Sequence, residues 1–409
     1  MDFRYDIVII GGGPSGATTA ILLAQAGWKV AIVEKAPFPR RKVCGEFISG
    51  TTWPLLRQLG VADSLMARAG PMVRRVGVYC GAAMITAQLV APTENTEDSG
   101  KAIGREHLDT LLLKRAAEVG AEVWQPFTLA SFNANHDGYG CTIINKQSRE
   151  EHTLSSRLLV AAHGSWESGP LPTQHFRRPQ RLSDLFGFKA HFLKSTLPSD
   201  LMPLLSFPGG YGGMVHSDGG RVSLSCCVRR DQLEQCRQHY PNVTAGAAVL
   251  AHIEASCKGV CEALSSAHLD GPWLSSGPLH TGIHTFGFDG IFTVGNATAE
   301  VHPIVAEGIS MAIQSAFLLS EQLNAWRTRG DLTFPHQNLE SLRHNYERAW
   351  RSNFSRRIRL ATLFAHLFMR PLTSHMVMGL LGHFPRLLTE GARWSGKADP
   401  LLSIRAGRL

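Results

Sequence analysis

The sequence predicts an α/β fold in three parts: a parallel sheet covered by helices, an antiparallel sheet, and a helical carboxyl-terminal region. Three observations lead to this prediction. A strand-length apolar run, a glycine-rich turn and an apolar helix follow one another at the amino end. From about residue 185 to residue 272 the composition changes to alternating strands with glycine turns. From Gln337 onward the pattern is helical and basic.

The first segment predicts a site for a dinucleotide. Residues 5–10 (YDIVII) are a continuous apolar run, as in the central strand of a parallel sheet. A turn with GxGxxG spacing follows, where missing Cβ atoms permit close approach of the backbone to a pyrophosphate. Its residues are Gly11, Gly13, Pro14, Ser15 and Gly16. The helix at 17–26 directs N–H groups at that phosphate. After the strand at 30–33, Glu34 stands where a carboxylate accepts a hydrogen bond from a ribose hydroxyl.

The composition limits the class of protein. A chain of 409 residues with 44% hydrophobic residues can form two or three domains with a sizeable core. The net charge of +8 indicates attraction to anions, and arginines cluster at 177–181 and at 351–359. No basic module interleaved with exposed aromatic residues is found, so we expect no nucleic-acid partner. The favoured interpretation of the basic residues is a solvated helix face; the alternative is a surface for anionic lipid or an acidic partner.

The cysteines and the amino end bear on localisation. The eight cysteines contain no CxxC pair, which favours reduced thiols in a cytoplasmic enzyme and argues against a metal site. Asp2, Arg4 and Asp6 interrupt any apolar leader, and no stretch of about 18 uncharged apolar residues occurs. We therefore expect a cytoplasmic protein without a membrane-spanning segment.

Hydrophobic periodicity predicts the remaining elements. A Pro- and Arg-rich loop after Glu34 is expected to reach back over the nucleotide. The predicted helices are 53–69, 104–119 and 308–323. The predicted strands are 73–79, 84–89, 121–127, 141–145, 158–162, 187–192, 213–217, 221–228 and 290–294. Turns are predicted at 135–138 and 218–220.

Three further segments match a known family: Gly104-Arg105-Glu106-His107-Leu108-Asp109, Ala162-His163-Gly164-Ser165, and Gly295-Asn296-Ala297-Thr298 followed by Pro303 and Gly308. With the first segment, over about residues 1–325, they resemble FAD-dependent oxidoreductases of the p-hydroxybenzoate hydroxylase fold, in the branch of geranylgeranyl reductases and flavin-dependent halogenases. The resemblance implies a Rossmann-like FAD-binding domain of the p-hydroxybenzoate hydroxylase/glutathione-reductase type, an antiparallel β-sheet substrate domain and C-terminal helices.

The resemblance also implies domain boundaries. The FAD-binding domain is expected to be discontinuous, with residues 1–75, 101–180 and 275–325. The substrate-binding sheet domain is expected at 76–100 and 181–274, and the helical region at 326–409.

FAD is the implied cofactor. Arg105 is expected near the phosphates, and Lys35 and Arg41 are further candidate contacts. The ribityl chain and isoalloxazine are expected to lie against Gly295, Asn296, Pro303, Gly308 and Ile309. Asn296 replaces the usual aspartate, but its amide can still bind a ribityl hydroxyl. A helix beginning near Gly308 would aim N–H groups at the flavin, and a Cβ at Gly308 would collide with the ring.

The candidate catalytic residues are His302, Cys44 and Glu46. A neutral His302 beside the isoalloxazine can relay a proton, although such a residue more often binds a loop carbonyl. Cys44-Gly45 resembles a feature of geranylgeranyl reductases; the alternative is a small buried hydrophobic side chain. Arg41, Cys44 and Glu46 belong to the loop that in this branch runs beside the flavin.

We expect a monooxygenase that hydroxylates an aromatic or polyketide-like small molecule through a flavin C4a adduct. The alternatives are a reductase or dehydrogenase acting on C=C bonds of a lipid or isoprenoid, and a non-catalytic FAD-binding partner in a biosynthetic complex. Halogenation is disfavoured because residues 210–216 lack the Trp-x-Trp-x-Ile-Pro segment of halogenases.

No second GxGxxG unit is found, and His163 replaces an aspartate tied to nicotinamide use. The electron source is therefore NAD(P)H docking transiently or a separate reductase as redox partner. The C-terminal helices either cap the substrate opening or contact a membrane surface.

Overall fold

The structure, a computed structural model, describes residues 4–89, 99–135, 138–165, 168–174, 179–328 and 336–397. Part of the predicted turn at 135–138 lies outside the described residues, and so do Arg177 and Arg178 of the first basic cluster.

The strands are β1 (Tyr5–Ile10), β2 (Val30–Val33), β3 (Phe47–Ile48), β4 (Arg75–Cys80), β5 (Ala83–Gln88), β6 (Lys101–Ala102), β7 (Glu122–Trp124), β8 (Phe127–Asn135), β9 (Gly138–Asn145), β10 (Glu151–Ala161), β11 (Leu185–Leu193), β12 (Leu201–Phe207), β13 (Gly210–His216), β14 (Val222–Arg229), β15 (His268–Leu269), β16 (Leu274–Ser276), β17 (Gly282–Ile283), β18 (Gly287–Phe288), β19 (Ile291–Thr293) and β20 (Ala299–Glu300).

The helices are α1 (Pro14–Gln25), α2 (Trp53–Gln58), α3 (Ala62–Met66), α4 (Arg105–Glu118), α5 (Arg230–His239), α6 (Ala245–Ser256), α7 (Lys258–Leu264), α8 (Gly308–Thr328), α9 (His336–Phe368), α10 (Pro371–His383) and α11 (Arg386–Ala392).

The first sheet has the strand order β18-β19-β10-β1-β2-β7, with β1 parallel to both β2 and β10. Side chains alternate along β1, so that Ile7 and Ile9 pack in the core with α1, α4, α8 and α9, while Val8 and Ile10 face the β8–β9 hairpin. Because both faces are buried, the strand carries the continuous apolar run noted in the sequence. The β1–α1–β2 unit was therefore predicted correctly.

The second sheet has the order β15-β11-β14-β13-β12-β4-β5 and is antiparallel except for the parallel β12–β4 pair. The prediction of alternating strands throughout 185–272 is wrong for residues 230–264, which form α5, α6 and α7. The segment of α6 is rich in alanine, a strong helix former, and Thr244 caps it by accepting a hydrogen bond from the Ala247 N–H. Val249, Ile253 and Val260 of these helices join the core of the sheet.

The predicted helix at 53–69 is two short helices, α2 and α3. Gly60 between them has a φ of +75°, a left-handed conformation that ends α2. The sequence contains this glycine, but the helical apolar pattern continues across it and conceals the break.

The C-terminal helices lie against both sheets. Tyr346, Trp350 and Phe354 of α9 enter the core beside α8, and Phe286 contacts the rings of Tyr346 and Trp350. Val78 and Cys80 of β4 pack with Phe368, at the end of α9, and with the buried face of α10. Among the described helices, none has the length and apolarity that crossing a bilayer requires.

A buried ionic cluster joins the two sheets. Glu46, in the loop after β2, has a φ of +64° and a fully buried side chain. Its carboxylate pairs with Lys189 of β11 and accepts hydrogen bonds from His191 at 2.8 Å and from the Ser217 hydroxyl at 3.1 Å. Burial alone would raise the pKa of Glu46, but the His191 hydrogen bond and the Lys189 charge outweigh it and hold this pKa well below its usual range.

We expect Glu46→Gln to lower the free energy of unfolding by about 3–5 kcal/mol, because Lys189 would remain buried without a carboxylate. The matched control is Glu118→Gln on α4, whose carboxylate pairs with Lys114 and Arg115 at the surface; its effect should stay below about 1 kcal/mol. Urea unfolding measures both. Equal stability of Glu46→Gln and the wild type would contradict the structural role given to this cluster.

Candidate active site

A cavity of about 1050 Å³ extends from the β1–α1 turn to the C-terminal helices. At one end its walls are backbone and polar groups, including Gly11, Gly13, Pro14, Ser15, Glu34 and Lys35. At the other end they are apolar side chains of α9, α10 and α11. The volume lies at the upper limit for one enclosed organic ligand, and the two ends differ in chemistry.

The glycines of the β1–α1 turn have different tasks. Gly11 has a φ of +113°, and a Cβ there would lie 2.4 Å from the Ala162 carbonyl oxygen. A Cβ at Gly16 would lie 1.9 Å from the Gly11 carbonyl oxygen, so Gly16 permits the strand–helix contact. Gly13 instead faces the cavity, and the nearest atom to its Cβ position is Arg105 Nη2 at 3.8 Å. The N-terminus of α1 is therefore open to an anionic ligand.

Glu34 and Arg105 are held rigidly in the cavity wall. The Glu34 carboxylate accepts hydrogen bonds from the N–H groups of Gly12 and Ala36, both at 2.8 Å. Arg105 donates to both carboxylate oxygens of Asp109, at 2.6 and 2.7 Å. Burial opposes the charge of Arg105, but Asp109 outweighs it and raises the pKa, so the guanidinium stays protonated beside the glycine turn.

The segment at 295–309 forms a second wall. A Cβ at Gly295, where φ is +64°, would lie 2.4 Å from Ser15 Oγ, so this turn packs directly on the start of α1. Asn296, Pro303, Gly308 and Ile309 line the cavity. Among the described residues, apart from its chain neighbours and the backbone of its own helix, nothing lies within 4 Å of the Cβ position of Gly308, the first residue of the 21-residue α8. This free space at a helix N-terminus fits a flavin ring whose carbonyl edge accepts backbone N–H groups.

Four predicted site residues do not line this cavity: Gly16 and Gly295, which serve the close packing around the start of α1, and Arg41 and His302. Arg41 pairs with Asp270 at 3.2 Å and with Glu106 at 3.4 Å, whereas Arg40 lines the cavity. His302 lies behind the wall, with Nδ1 3.1 Å from the Tyr211 hydroxyl and Nε2 3.2 Å from the Thr281 hydroxyl.

The environment of His302 defines what it can do. Burial, and then the charge of His366, lower the pKa of His302 to about 4, so the imidazole is neutral at pH 7. Tyr211, its hydrogen-bond partner, lines the cavity. Tyr211 therefore stands between His302 and the cavity, and a catalytic part for His302 remains a prediction.

Cys44 and Glu46 both line the cavity. The Cys44 thiol accepts a hydrogen bond from the Glu46 N–H at 3.4 Å and contributes to the charged environment of Arg105. The thiol thus lies towards the glycine turn. Glu46 is fully occupied by its ionic cluster, which gives it a structural part in the wall.

Sequence reasoning missed Glu300 and Lys42, which also line the cavity. Glu300 is buried and accepts a hydrogen bond from the His280 N–H at 3.2 Å. Burial raises its pKa to about 7, against the opposing charge of Lys42. A carboxyl group that titrates near neutral pH is suited to acid–base work. The available signal was an acid between Ala299 and Val301 in an otherwise apolar segment.

Two other groups of polar side chains lie in or near the site. The His163 ring lies in the cavity wall and is held by the Gly164 carbonyl and the Thr173 hydroxyl, at 2.6 and 2.9 Å. Within the described residues, Glu106, His107 and Asp218 form a group whose ligand atoms lie within 4.8 Å of one another. Arg221 pairs with both acids and supplies the positive charge there, so this group does not call for a metal ion.

Three curated relatives share sequence with the chain. Conditioned medium factor receptor 1 of Dictyostelium discoideum is 25% identical over 409 aligned residues, covering 92% of this chain and 73% of that protein. Menaquinone reductase of Mycobacterium tuberculosis is 24% identical over 335 residues, covering 80% and 78%. Aklavinone 12-hydroxylase DnrF of Streptomyces peucetius is 30% identical over 223 residues, covering 51% of this chain but only 44% of that protein.

Solved structures share the fold. The myxobacterial chondrochloren halogenase superposes with a TM-score of 0.76 at 19% identity, covering 95% of this chain and 90% of that one. PqsL of Pseudomonas aeruginosa, in complex with 2-aminobenzoylacetate, has a TM-score of 0.69 at 16% identity, covering 90% and 98%. These likenesses show the architecture alone, and the prediction against halogenation stays a prediction.

We expect Gly13→Ala to abolish FAD binding while leaving the fold intact. The φ of Gly13 is −71°, which alanine adopts freely, and the added methyl group would point into the space for the pyrophosphate. Gly16→Ala is the matched contrast and should cost about 1–3 kcal/mol of stability, because its Cβ meets backbone. Visible absorbance after FAD titration and thermal unfolding of FAD-free protein separate the two. A yellow Gly13→Ala protein would place the pyrophosphate elsewhere.

The raised pKa of Glu300 predicts a pH-dependent stability. The folded protein keeps this proton between about pH 4.5 and pH 7, where the unfolded chain has lost it, so the unfolding free energy falls as pH rises through that range. Glu300→Gln cannot ionise. Measured by urea unfolding, the free energy of unfolding of Glu300→Gln relative to that of the wild type should rise by about 2–3 kcal/mol between pH 5 and pH 8. Glu118→Gln, at an exposed site, should show no such trend, and a parallel result for both variants would refute the raised pKa.

The family model described as "FAD binding domain" matches residues 4–331, which is most of the chain. The glycine turn, the wall at 295–309 and the free space at Gly308 fit this cofactor. The chain therefore belongs to the FAD-binding family of oxidoreductases, and FAD is its cofactor.

Proposed function

We propose that the protein is a monooxygenase that hydroxylates an aromatic or polyketide-like small molecule. The observation that carries this proposal is the continuity of the cavity. The cofactor end and an apolar chamber belong to one cavity, and Glu300 and Lys42 are among its lining residues. A substrate in the chamber would thus meet both the cofactor and an acid–base group.

The chamber is suited to an apolar ring system. One wall comes from the second sheet, through β4, β12 and β13, and another from the C-terminal helices. Its apolar lining includes Val76, Met202, Leu204, Phe364, Phe368 and Leu381. Few polar groups interrupt this surface, so Tyr211, Glu300 and Lys42 would fix the orientation of a substrate.

Bound FAD supplies the two-electron chemistry that splits O₂ into one oxygen atom for the product and one for water. The two electrons come from NAD(P)H or a separate reductase. Glu300, ionised above about pH 7, accepts the proton of a phenolic substrate and so enriches its ring for attack by an electrophilic oxygen. Lys42 favours the ionised carboxylate. The apolar chamber excludes water from the reacting atoms.

The relatives support an aromatic substrate. One is by name a hydroxylase of aklavinone, and the structure of PqsL holds 2-aminobenzoylacetate, whose ring is aromatic. Applied to this chain, they favour ring hydroxylation.

Reduction of a lipid or isoprenoid is the second candidate, since menaquinone reductase matches 80% of the chain. The position of Cys44 beside Arg105, towards the glycine turn, counts against a thiol acting on a substrate in the chamber. The apolar chamber accommodates either type of ligand.

The deciding experiment mixes the photoreduced holoenzyme with isotopically labelled O₂ and a panel of phenols, hydroxyanthraquinones and isoprenoid quinones. We expect labelled oxygen in a phenolic product. Glu300→Gln should lose most of this incorporation, while Cys44→Ala should retain it.

A second readout does not depend on turnover. With oxidised enzyme, the phenolate absorbance of the bound substrate should rise with pH for the wild type and shift to higher pH for Glu300→Gln. Anaerobic reduction of a quinone or alkene, without oxygen incorporation on any phenol, would instead establish the reductase.

A further inference from the structure

The C-terminal helices expose an unusual amount of apolar surface. Among the described residues, Leu363, Leu372, Met376, Leu380, Phe384, Leu387 and Trp394 are large hydrophobic side chains that are exposed. Leu372 is 84% exposed and Met376 75%. We call these seven residues the apolar face. Concentration of such side chains on one region, unlike scattered exposed leucines, marks a binding surface.

Helix α10 is apolar on two sides. Ser374, Met378 and Leu381 are buried towards the protein. Leu372, Met376 and Leu380 follow at intervals of four residues and form an outward stripe. The helix contains no Asp, Glu, Lys or Arg. An apolar stripe on the outer side of a helix is unfavourable in water, although His375 and His383 also lie exposed on α10.

Positive charge predominates in the segments that carry the apolar face. The exposed arginines of this region are Arg356, Arg359, Arg370, Arg386 and Arg393. Between residues 356 and 393 the one acid is Glu390, which pairs with Arg393 at 3.5 Å. On α9, Arg359 and Leu363 are four residues apart and share a face. Exposed apolar side chains together with an excess of arginine suit the surface of an anionic bilayer.

The apolar face is also the mouth of the cavity. Leu380, Leu387 and Trp394 are about half exposed, and each lines the cavity as well. A molecule leaving the chamber between α10 and α11 would therefore meet the apolar face first.

From these observations we infer that the apolar face docks on an anionic membrane and that the substrate is an amphiphile entering the chamber from the lipid. The chemical class is a ring head group with a long apolar tail. The docking part stands on the surface alone, whereas the substrate part rests on the proposed function.

Docking is tested by co-sedimentation of holoenzyme with vesicles of phosphatidylcholine, with and without phosphatidylglycerol. The wild type should bind vesicles containing phosphatidylglycerol, and binding should weaken with salt. The partition coefficient of the double variant L372E/M376E onto these vesicles should fall by at least about tenfold, because docking would bury two carboxylates against lipid. Neither residue lines the cavity, so its flavin spectrum and its turnover of a water-soluble phenol should be unchanged.

The matched control is L182E, which alters an exposed leucine outside the C-terminal helices and should bind like the wild type. Equal sedimentation of L372E/M376E and the wild type would overturn the docking proposal. So would a concentration-dependent dimer in lipid-free buffer that L372E/M376E dissociates, since a second copy would then cover the face.

The substrate class is tested with one phenol carrying either a short or a long alkyl chain, the latter dissolved in vesicles. The wild type should hydroxylate both, and L372E/M376E should lose only the vesicle-borne substrate. Equal use of both by the variant would overturn membrane delivery. Vesicle binding without hydroxylation of either phenol would refute the proposed function and leave docking intact.

Discussion

The carboxylate of Glu46 connects the nucleotide-binding sheet to the second sheet from within the cavity wall. Lys189, His191 and Ser217 reach it from three directions, and its left-handed backbone turns the loop towards them. Next to it, Asp218 accepts a hydrogen bond from the Gly104 N–H at the start of α4. Buried ion pairs contribute little net stability because desolvation is costly, but they tolerate few alternative arrangements. This cluster therefore ties the loop before β3 to β11 and to the residue that follows β13.

The distribution of charge within the cavity follows a pattern. At the glycine turn, Arg105 is matched by Asp109, and Glu34 is fixed by two backbone N–H groups. Where the cofactor end meets the chamber, the ionisable groups are less fully compensated: Glu300 titrates near neutrality, and His302 behind Tyr211 is neutral. Binding thus relies on fixed groups, and proton transfer is left to a group that can change its charge.

Much of the nucleotide-binding half was predictable because its signals are local. The strand, glycine turn and helix of β1–α1 are adjacent in sequence, and Gly11 and Gly16 meet backbone on the neighbouring strand or a few residues away. The contact partners of individual side chains were less predictable. Arg41 pairs with Asp270, 229 residues away, and His302 hydrogen-bonds with Tyr211, 91 residues away. No local sequence pattern indicates either partner.

Two errors have different causes. The helices at 230–264 were missed because the glycine-rich strands before them dominated the composition of the segment, although the alanines and the Thr244 cap are local helix signals. Glu300 was missed because its significance comes from burial and from its contact with His280, which only tertiary packing decides.

The second sheet ends at β5, a strand with one side unpaired within the sheet. Helix α11 lies against one end of that edge, where the Thr389 hydroxyl donates to the Gln88 carbonyl at 2.8 Å. Open strand edges recruit other strands, and proteins commonly protect them with charge, proline or a covering element. Here the covering element also encloses the chamber. Proteolytic loss of the C-terminal helices would thus expose a template for self-association as well as an open chamber, which couples the solubility of the protein to the integrity of its substrate pocket.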